Sequence, residues 1–448
     1  MKLSYRTYNK LVTDKIELFS SYVSSYKRKY DFDYSAIISR LLVIHHGLMP
    51  TDMSHSTVDN AKSLDELFDK KYFLSNVTKR SFFNVIKSLL KFFLLHYNLI
   101  LIPKKQITVF VHHIKFFNYV KSSKIFDSYQ VTWVTFGGVV LSNKMLSGDK
   151  QIRYCNVNFN FSESFYITDY CEDLYRSFNS FIKRIKPSAV FVIEGDAPYH
   201  IAISNSCNAL GIKNYCLQWG LIHKTAARTR FSSMDFTGFL TWGSFFTDQL
   251  KCYNPKQKFV EIGHLNFSFK NAEGDAIIFL DQGSSNPSID QSHFQEYHEI
   301  ILNFARNTDY KIIVRPHPNH DLCEVLRANL LQHDVEISNQ KTSLSHDLSH
   351  SKVAVSIMSS SLLDALINGI IPVSFRYDQL EEYPFPLNQL KIGLESSCPS
   401  EIFNFINSIM RQPSLHEVHQ KRLGQHAMNL FAQNSLKQKK QILTELLK

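Results

Sequence analysis

From Ile107 onward, short β-branched and aromatic runs recur, each stopped by a turn residue and most followed by a stretch of helical composition. Strand, turn, helix, strand at this spacing describes a parallel sheet. Parallel neighbours need a long crossover, and strands buried on both faces read as continuous apolar runs. Thr108 to His112, Val131 to Phe136, Ala189 to Ile193, Asn214 to Gln218, Phe239 to Trp242 and Phe259 to Ile262 form one series, with a helix from about His200 to Leu210. The polar stretch Asn266 to Asp275 separates it from a second series. That series starts at Ala276–Leu280 and continues through Lys311–Val314, Lys352–Val355 and Ile370–Val373. Two such series with a linker between them predict two Rossmann-like domains.

The polar residues that end these strands are where chemistry is expected, because open α/β sheets bind ligands outside the carboxyl ends of their strands. Lys311-Ile-Ile-Val-Arg315-Pro-His317-Pro318 drives a buried run into a loop bracketed by prolines, which presents one guanidinium and one imidazole. Lys352 to Val355 leads into Ser356-Ile-Met-Ser359-Ser360-Ser361 and a short helix that Gly369 stops. Serine hydroxyls and free N–H groups at such a turn suit an anion. Alone, a His-Pro is an ordinary turn and a serine run an ordinary helix cap. Placed on consecutive strand–helix units, they point to a shared ligand. Asp281-Gln-Gly283-Ser284, after Ala276–Leu280, could line the same place or form a plain turn. In the first series, Ala189–Ile193 ends in Glu194-Gly195-Asp196, and the next strand ends in Gln218-Trp219-Gly220, followed by His223-Lys224.

The pairing of Arg315-Pro-His317-Pro318 with Ser359–Ser361 resembles the His-Pro and Ser-Ser motifs of bacterial GT-B glycosyltransferases that use CMP-activated sugars. These are the sialyl-, polysialyl- and Kdo-transferases of capsule and lipopolysaccharide synthesis. It is also similar to the Arg-x-His-Pro and Ser-Ser pattern of the CDP-glycerol polymerases of teichoic acid synthesis. The likeness spans roughly residues 185–375. It implies an α/β fold of the GT-B type, two Rossmann-like domains facing across a cleft, after a helical N-terminal region. The expected divisions are 1–105 helical, 106–265 on the acceptor side, 276–400 for the nucleotide-sugar, and 401–448 as C-terminal helices, the last returning to the first domain.

The same resemblance implies the roles. Arg315, His317, Pro318, Ser359, Ser360, Ser361, Gly283, Ser284 and Glu382 would bind the donor, with His317 also acting on the leaving phosphate. The base would be Glu194 or Asp196. The order Glu-Gly-Asp departs from the acidic-acidic-Gly motif of the sialyltransferases, so both carboxylates remain candidates, Glu194 first. Gln218, His223 and Lys224 would touch the acceptor. The reaction would be direct displacement of a Kdo or sialic-acid-like sugar from CMP onto a capsule or lipopolysaccharide glycan, with no cofactor and no required metal. The alternatives are a CDP-glycerol-type polyol-phosphate transferase and a non-catalytic GT-B-like protein bound to a membrane complex. An epimerase of similar fold has no supporting residues.

Composition narrows the partners. With 448 residues, 44% hydrophobic and 20% charged, the chain has ample core for two or three domains. A net charge of +10 favours an acidic partner, either an anionic substrate or an anionic membrane. No RNA-binding signature or zinc-ligand spacing is present, so nucleic acid is not expected. Seven scattered cysteines without a Cys-x-x-Cys suggest reduced thiols and a cytoplasmic protein. Lys79, Arg80, Lys87 and Lys91 border the aromatic stretch from Phe82 to Leu95. Such a helix either packs on the protein or lies on the inner face of the bacterial inner membrane.

Overall fold

The computed structural model describes residues 72–73, 106–136, 152–156, 164–165, 167–195, 197–222, 231–232, 234–266, 269, 273–282, 291–317, 322–339, 342–357, 359–376, 387–431 and 434–448. The helical reading of 1–105, including the basic aromatic stretch, lies outside them. A two-residue strand, β1 (Tyr72–Phe73), is the exception. No helix of the described residues is long and apolar enough to cross a membrane.

The first series builds a seven-stranded parallel sheet. Its order along the chain is β2 (Ile107–Val111), α1 (Ile114–Ser122), β3 (Val131–Thr135), β4 (Ile152–Asn156), β5 (Ser164–Phe165), α2 (Ile167–Ile185), β6 (Ala189–Ile193), α3 (Pro198–Ala209), β7 (Lys213–Leu217), β8 (Gly238–Thr241), α4 (Ser244–Lys251) and β9 (Phe259–Glu261). The strands lie in the order β4-β3-β2-β6-β7-β8-β9, and β5 pairs antiparallel with β1 outside this sheet. Every residue of β2, β3 and β6 is buried, as two-sided coverage requires. One face packs Phe110 edge-on against Phe136, Phe178 and Phe181. The other holds Phe116, Phe117, Trp133, Phe191 and Tyr215.

The second series builds a six-stranded parallel sheet. Along the chain it runs β10 (Ala276–Leu280), α5 (Gln291–Asn307), β11 (Ile312–Arg315), α6 (Glu324–Gln332), β12 (Glu336–Ile337), α7 (Leu344–Ser349), β13 (Ser351–Ser356), α8 (Ser361–Ile367), β14 (Ile371–Phe375), α9 (Leu387–Leu390), β15 (Leu394–Ser396), α10 (Pro399–Arg411) and α11 (Pro413–Leu430). The strand order is β12-β11-β10-β13-β14-β15. Gly369 (φ 73°) ends α8, a left-handed position that favours glycine. Pro413 opens α11, and no helix continues through its missing N–H, so α10 stops at Arg411.

The sequence-expected strands agree with these to within one or two residues. In these two sheets the reading missed β4, β12 and β15, all outer strands that are short or carry charges, as edges commonly do, and it also missed the two-residue pair β1 and β5. Two compact units result. Of the described residues from 106 on, one unit takes those up to 220, 231–266 and 434–448; the other takes 269–431 with Leu221 and Ile222. The last helix, α12 (Leu436–Leu447), therefore belongs to the first sheet's unit. Leu443 is fully buried there. Tyr215 Oη donates to the Leu446 carbonyl at 2.6 Å, and buried Lys439 Nζ donates to the His264 carbonyl at 2.6 Å.

One buried histidine sets an acid limit. His416 on α11 is 8% exposed. Burial, the Lys352 ammonium and His419 push its imidazole down to about 4, from an ordinary 6.5. Between those values the unfolded chain binds the proton and the folded one does not. The contribution is thus complete above pH 6.5 and is lost as pH falls toward 4. The melting temperature should fall across this window, and His416→Gln should flatten the fall. An identical pH slope in that variant would rule out His416 as a cause.

Candidate functional site

Both sheets reverse their winding beside their first strand. In the first, β2 leads outward to β3 and β4, and the chain then returns so that β6 pairs with the other side of β2. The segments leaving β2 and β6 part in opposite directions, which opens a crevice at the carboxyl ends of these two strands. The residues that stand there are His112, His113, Glu194 and Gly195.

Glu194 has φ 82° and Gly195 φ 91°. A left-handed glutamate costs on the order of 1–2 kcal/mol, and such strain persists only where the surroundings enforce it. The Glu194 N–H is tied to the Leu217 carbonyl at 3.0 Å. A Cβ on Gly195 would stand 2.5 Å from Cys216 Sγ, so no larger residue fits. The turn leaves Glu194 Oε2 3.5 Å from His112 Nε2, with the glutamate side chain 36% exposed and the histidine 17%. The His112 ring lies 4.5 Å from that of Phe116 and 4.9 Å from those of Tyr199 and His200. His200 is itself fixed, its Nδ1 accepting from the Ala197 N–H at 3.3 Å. Burial, Lys115 and His112 lower the pKa of His113, and Glu194 partly offsets them. The arrangement is an accessible carboxylate with an enclosed imidazole behind it, suited to taking and relaying a proton. His112 was missed as a site residue. Its one signal was its place as the polar end of the first strand of its series.

Gln218, expected at the acceptor, is instead built into the scaffold. It is 2% exposed, and both ends of its amide are used. Nε2 donates to the Gly220 carbonyl at 3.0 Å, and Oε1 accepts from the Trp242 N–H at 2.9 Å. The residue locks the end of β7 to that of β8. Asp196, His223 and Lys224 lie outside the described residues.

In the second sheet the reversal falls between β10 and β13. Buried Asp281 follows β10, with His298 Nε2 3.2 Å from its Oδ1. Burial and then this carboxylate raise the neighbouring Tyr297 phenol well above its ordinary value. Tyr297 Oη donates to the Val355 carbonyl at 2.9 Å, and Ser356 Oγ to the Leu280 carbonyl at 3.0 Å, stitching the two strand ends together. Ser359, Ser360 and Ser361 form the turn into α8. Ser359 Oγ accepts from the Ser361 N–H at 3.1 Å, and Ser360 is exposed. His317 stands half-buried two residues beyond β11, whose end pairs with that of β10.

Arg315 departs from its expected role. Its guanidinium pairs with Asp347 from α7 and also donates to the Thr342 carbonyl at 2.9 Å and to Ser338 Oγ at 3.3 Å. Asp347 accepts from Ser338 as well. The pair is 11% and 9% exposed, so Arg315 is committed to the scaffold rather than offered to a donor. Nothing in the sequence placed Asp347 opposite it. Gly283, Ser284, Pro318 and Glu382 lie outside the described residues. Among the described residues, no group of three or more His, Cys, Asp or Glu side chains is placed to hold a metal ion.

No protein-family model matches the chain, and no curated protein matches it by sequence. Solved structures do match. The UDP-GlcNAc 2-epimerase from Neisseria meningitidis bound to UDP-GlcNAc is similar at TM-score 0.52 and 14% identity, over 77% of this chain and 99% of that one. Phytolacca americana UGT2, complexed with UDP-2-fluoro-glucose and pterostilbene, is similar at 0.53 and 11%, over 77% and 99%. Acinetobacter baumannii MurG is similar at 0.51 and 12%, over 77% and 100%. The fold is GT-B. At these identities the likeness is one of fold.

A buried ion pair broken on one side leaves a charge without compensation, at a cost of about 3–5 kcal/mol. Arg315→Ala should therefore lower the melting temperature steeply, by roughly 6–20 °C, since about 3–5 kcal/mol is lost and ~1 kcal/mol moves a domain of this size by about 2–4 °C. A folded Arg315→Ala protein with unchanged melting and weakened nucleotide binding would return Arg315 to the ligand.

Proposed function

We propose that this protein is a glycosyltransferase that moves a sugar from a nucleotide donor to a glycan acceptor by direct displacement. The observation that carries the reading is Glu194, held in a left-handed conformation beside His112 where the first sheet reverses. Backbone strain of this kind concentrates where a side chain must be aimed.

In this mechanism the acceptor hydroxyl gives its proton to the Glu194 carboxylate. Glu194 is the more exposed of the pair, so it meets the acceptor. His112, enclosed by rings, positions it. The acceptor oxygen bonds to the anomeric carbon as the bond from that carbon to the phosphate oxygen breaks, and the nucleotide leaves with both electrons. His317 and the Ser359–Ser361 turn stabilise the developing phosphate charge, a job for donors fixed in advance. The donor we infer is CMP-linked Kdo or a sialic-acid-like sugar, and the acceptor a capsule or lipopolysaccharide glycan. What supports this is the His317-Pro and Ser359–Ser361 pairing on flanking strands of the second sheet. Several similar structures carry UDP or UDP-sugars, which makes UDP the competing nucleotide. A CDP-glycerol-type transferase shares the same motifs and would leave a phosphodiester in its product.

A thermal-shift screen of CMP, CDP, UDP and GDP separates these readings. The cognate nucleotide should stabilise the fold by about 2.7 kcal/mol at a hundredfold excess over its dissociation constant. A shift with CMP is expected; a shift with UDP alone would replace the donor, and no shift with any would remove the transferase reading.

Glu194→Gln should cut turnover by roughly 10²–10⁴-fold while nucleotide binding persists. His317→Ala should cost about a hundredfold through the leaving group. Normal turnover in a folded Glu194→Gln protein, measured as nucleotide released, would sink the assignment of the base.

A further inference from the structure

We propose that the surface beside Glu194 on the first domain is a subsite for an anionic saccharide, its ring set against Trp219 and its acidic group against Lys115. The proposal rests on reading this domain as the acceptor side and adds what kind of acceptor it takes.

Lys115 lies on the first turn of α1, three residues beyond His112 at the same strand end, and its side chain is exposed. Its ammonium is held rather than loose, 5.0 Å from the Phe116 ring centre and 5.4 Å from that of Trp219. Attraction to two aromatic faces fixes a cation that would otherwise sample many rotamers. Among the described residues no carboxylate lies within ion-pair distance of it. The aromatic packing beneath Trp219 is continuous with the catalytic pair, through the buried rings of Phe116 and Tyr119. Trp219 meets the Phe116 ring edge-on at 4.8 Å and the Tyr119 ring at 4.9 Å, and Phe116 touches His112 at 4.5 Å. Glu194 stands 3.5 Å beyond His112. Trp219 is half-exposed, and the next residue opens space, with no atom within 4 Å of where a Gly220 Cβ would stand.

A half-exposed indole suits the apolar C–H face of a sugar ring, and a pinned ammonium suits a carboxylate or phosphate on it. Lys115 also acts by charge on His113, which in turn senses Glu194, so one cation, one carboxylate and one indole share a single strand-end surface. The chain's net charge of +10 draws such a ligand in. A neutral saccharide would use Trp219 and leave Lys115 without a partner.

The test is binding by the full-length protein without donor, followed by calorimetry. Three probes are compared: a hexagalacturonate, the same oligomer with its carboxyls reduced to alcohols, and an oligomer of sugar phosphates. At least one acidic probe should bind about tenfold more tightly than the reduced one, the ratio expected from one charge-assisted contact. Lys115→Gln should erase that preference, Lys115→Arg should keep it, and Trp219→Leu should weaken all three probes. Circular dichroism checks that each variant is folded. Equal binding of acidic and reduced oligomers, no binding of any probe, or a preference that survives Lys115→Gln would each overturn the proposal. Because this assay reads binding, a charge preference lost in Lys115→Gln alongside no transfer from any nucleotide-sugar would leave the subsite standing and remove the transferase reading instead.

Discussion

Covering a parallel sheet on both faces leaves its strands no wet side. In β2, β3 and β6 every residue is buried, and the same holds for β10 and β14. Polar chemistry is thereby pushed to the strand ends, and it gathers where the winding reverses and the outgoing segments part. This constraint places Glu194 and His112 in one domain and Asp281, His317 and Ser359–Ser361 in the other. None of these residues could work from the middle of its strand.

The same crowding decides which polar groups remain for a ligand. Strand ends must hold themselves together, and buried donors and acceptors cannot be left unmatched. Gln218, Ser356, Ser374 and Arg315 are used in this way, each bonded to backbone or to a buried carboxylate. Among the groups that stay reachable are Glu194, aimed by a left-handed φ, and the exposed Ser360. Strain on one side and scaffolding on the other are two results of one packing problem.

The aromatic cluster around His112 ties the pieces of the first domain together. Phe116, Tyr119, Trp219 and Trp242 bridge α1 to the ends of β7 and β8, and the Trp242 indole N–H donates to Tyr119 Oη at 3.1 Å. Rings of this size hold geometry with few rotatable bonds. They fix the imidazole behind Glu194 and the ammonium of Lys115 on one surface. Under the proposed function, Glu194 and Lys115 so placed would suit an acceptor that brings a hydroxyl and a negative charge on one sugar.

The sequence alone determined the strand–helix alternation, the two series and their separation. Apolar runs and turn residues are local signals, and Ala189–Ile193 and Ala276–Leu280 are marked at both ends by composition. It also determined that Glu194, His317 and Ser359–Ser361 stand at strand ends. It could not say what Arg315 and Gln218 touch. Asp347 lies 32 residues beyond Arg315 and reaches it only because α7 packs back on the sheet. Trp242 comes to Gln218 from the next strand. Nor did the sequence join His112, the polar end of its strand, to Glu194, since 82 positions separate them and only the pairing of β2 with β6 brings them together. Tertiary structure alone decided which charges are spent and which are offered, because that depends on the neighbours each strand end acquires in the sheet.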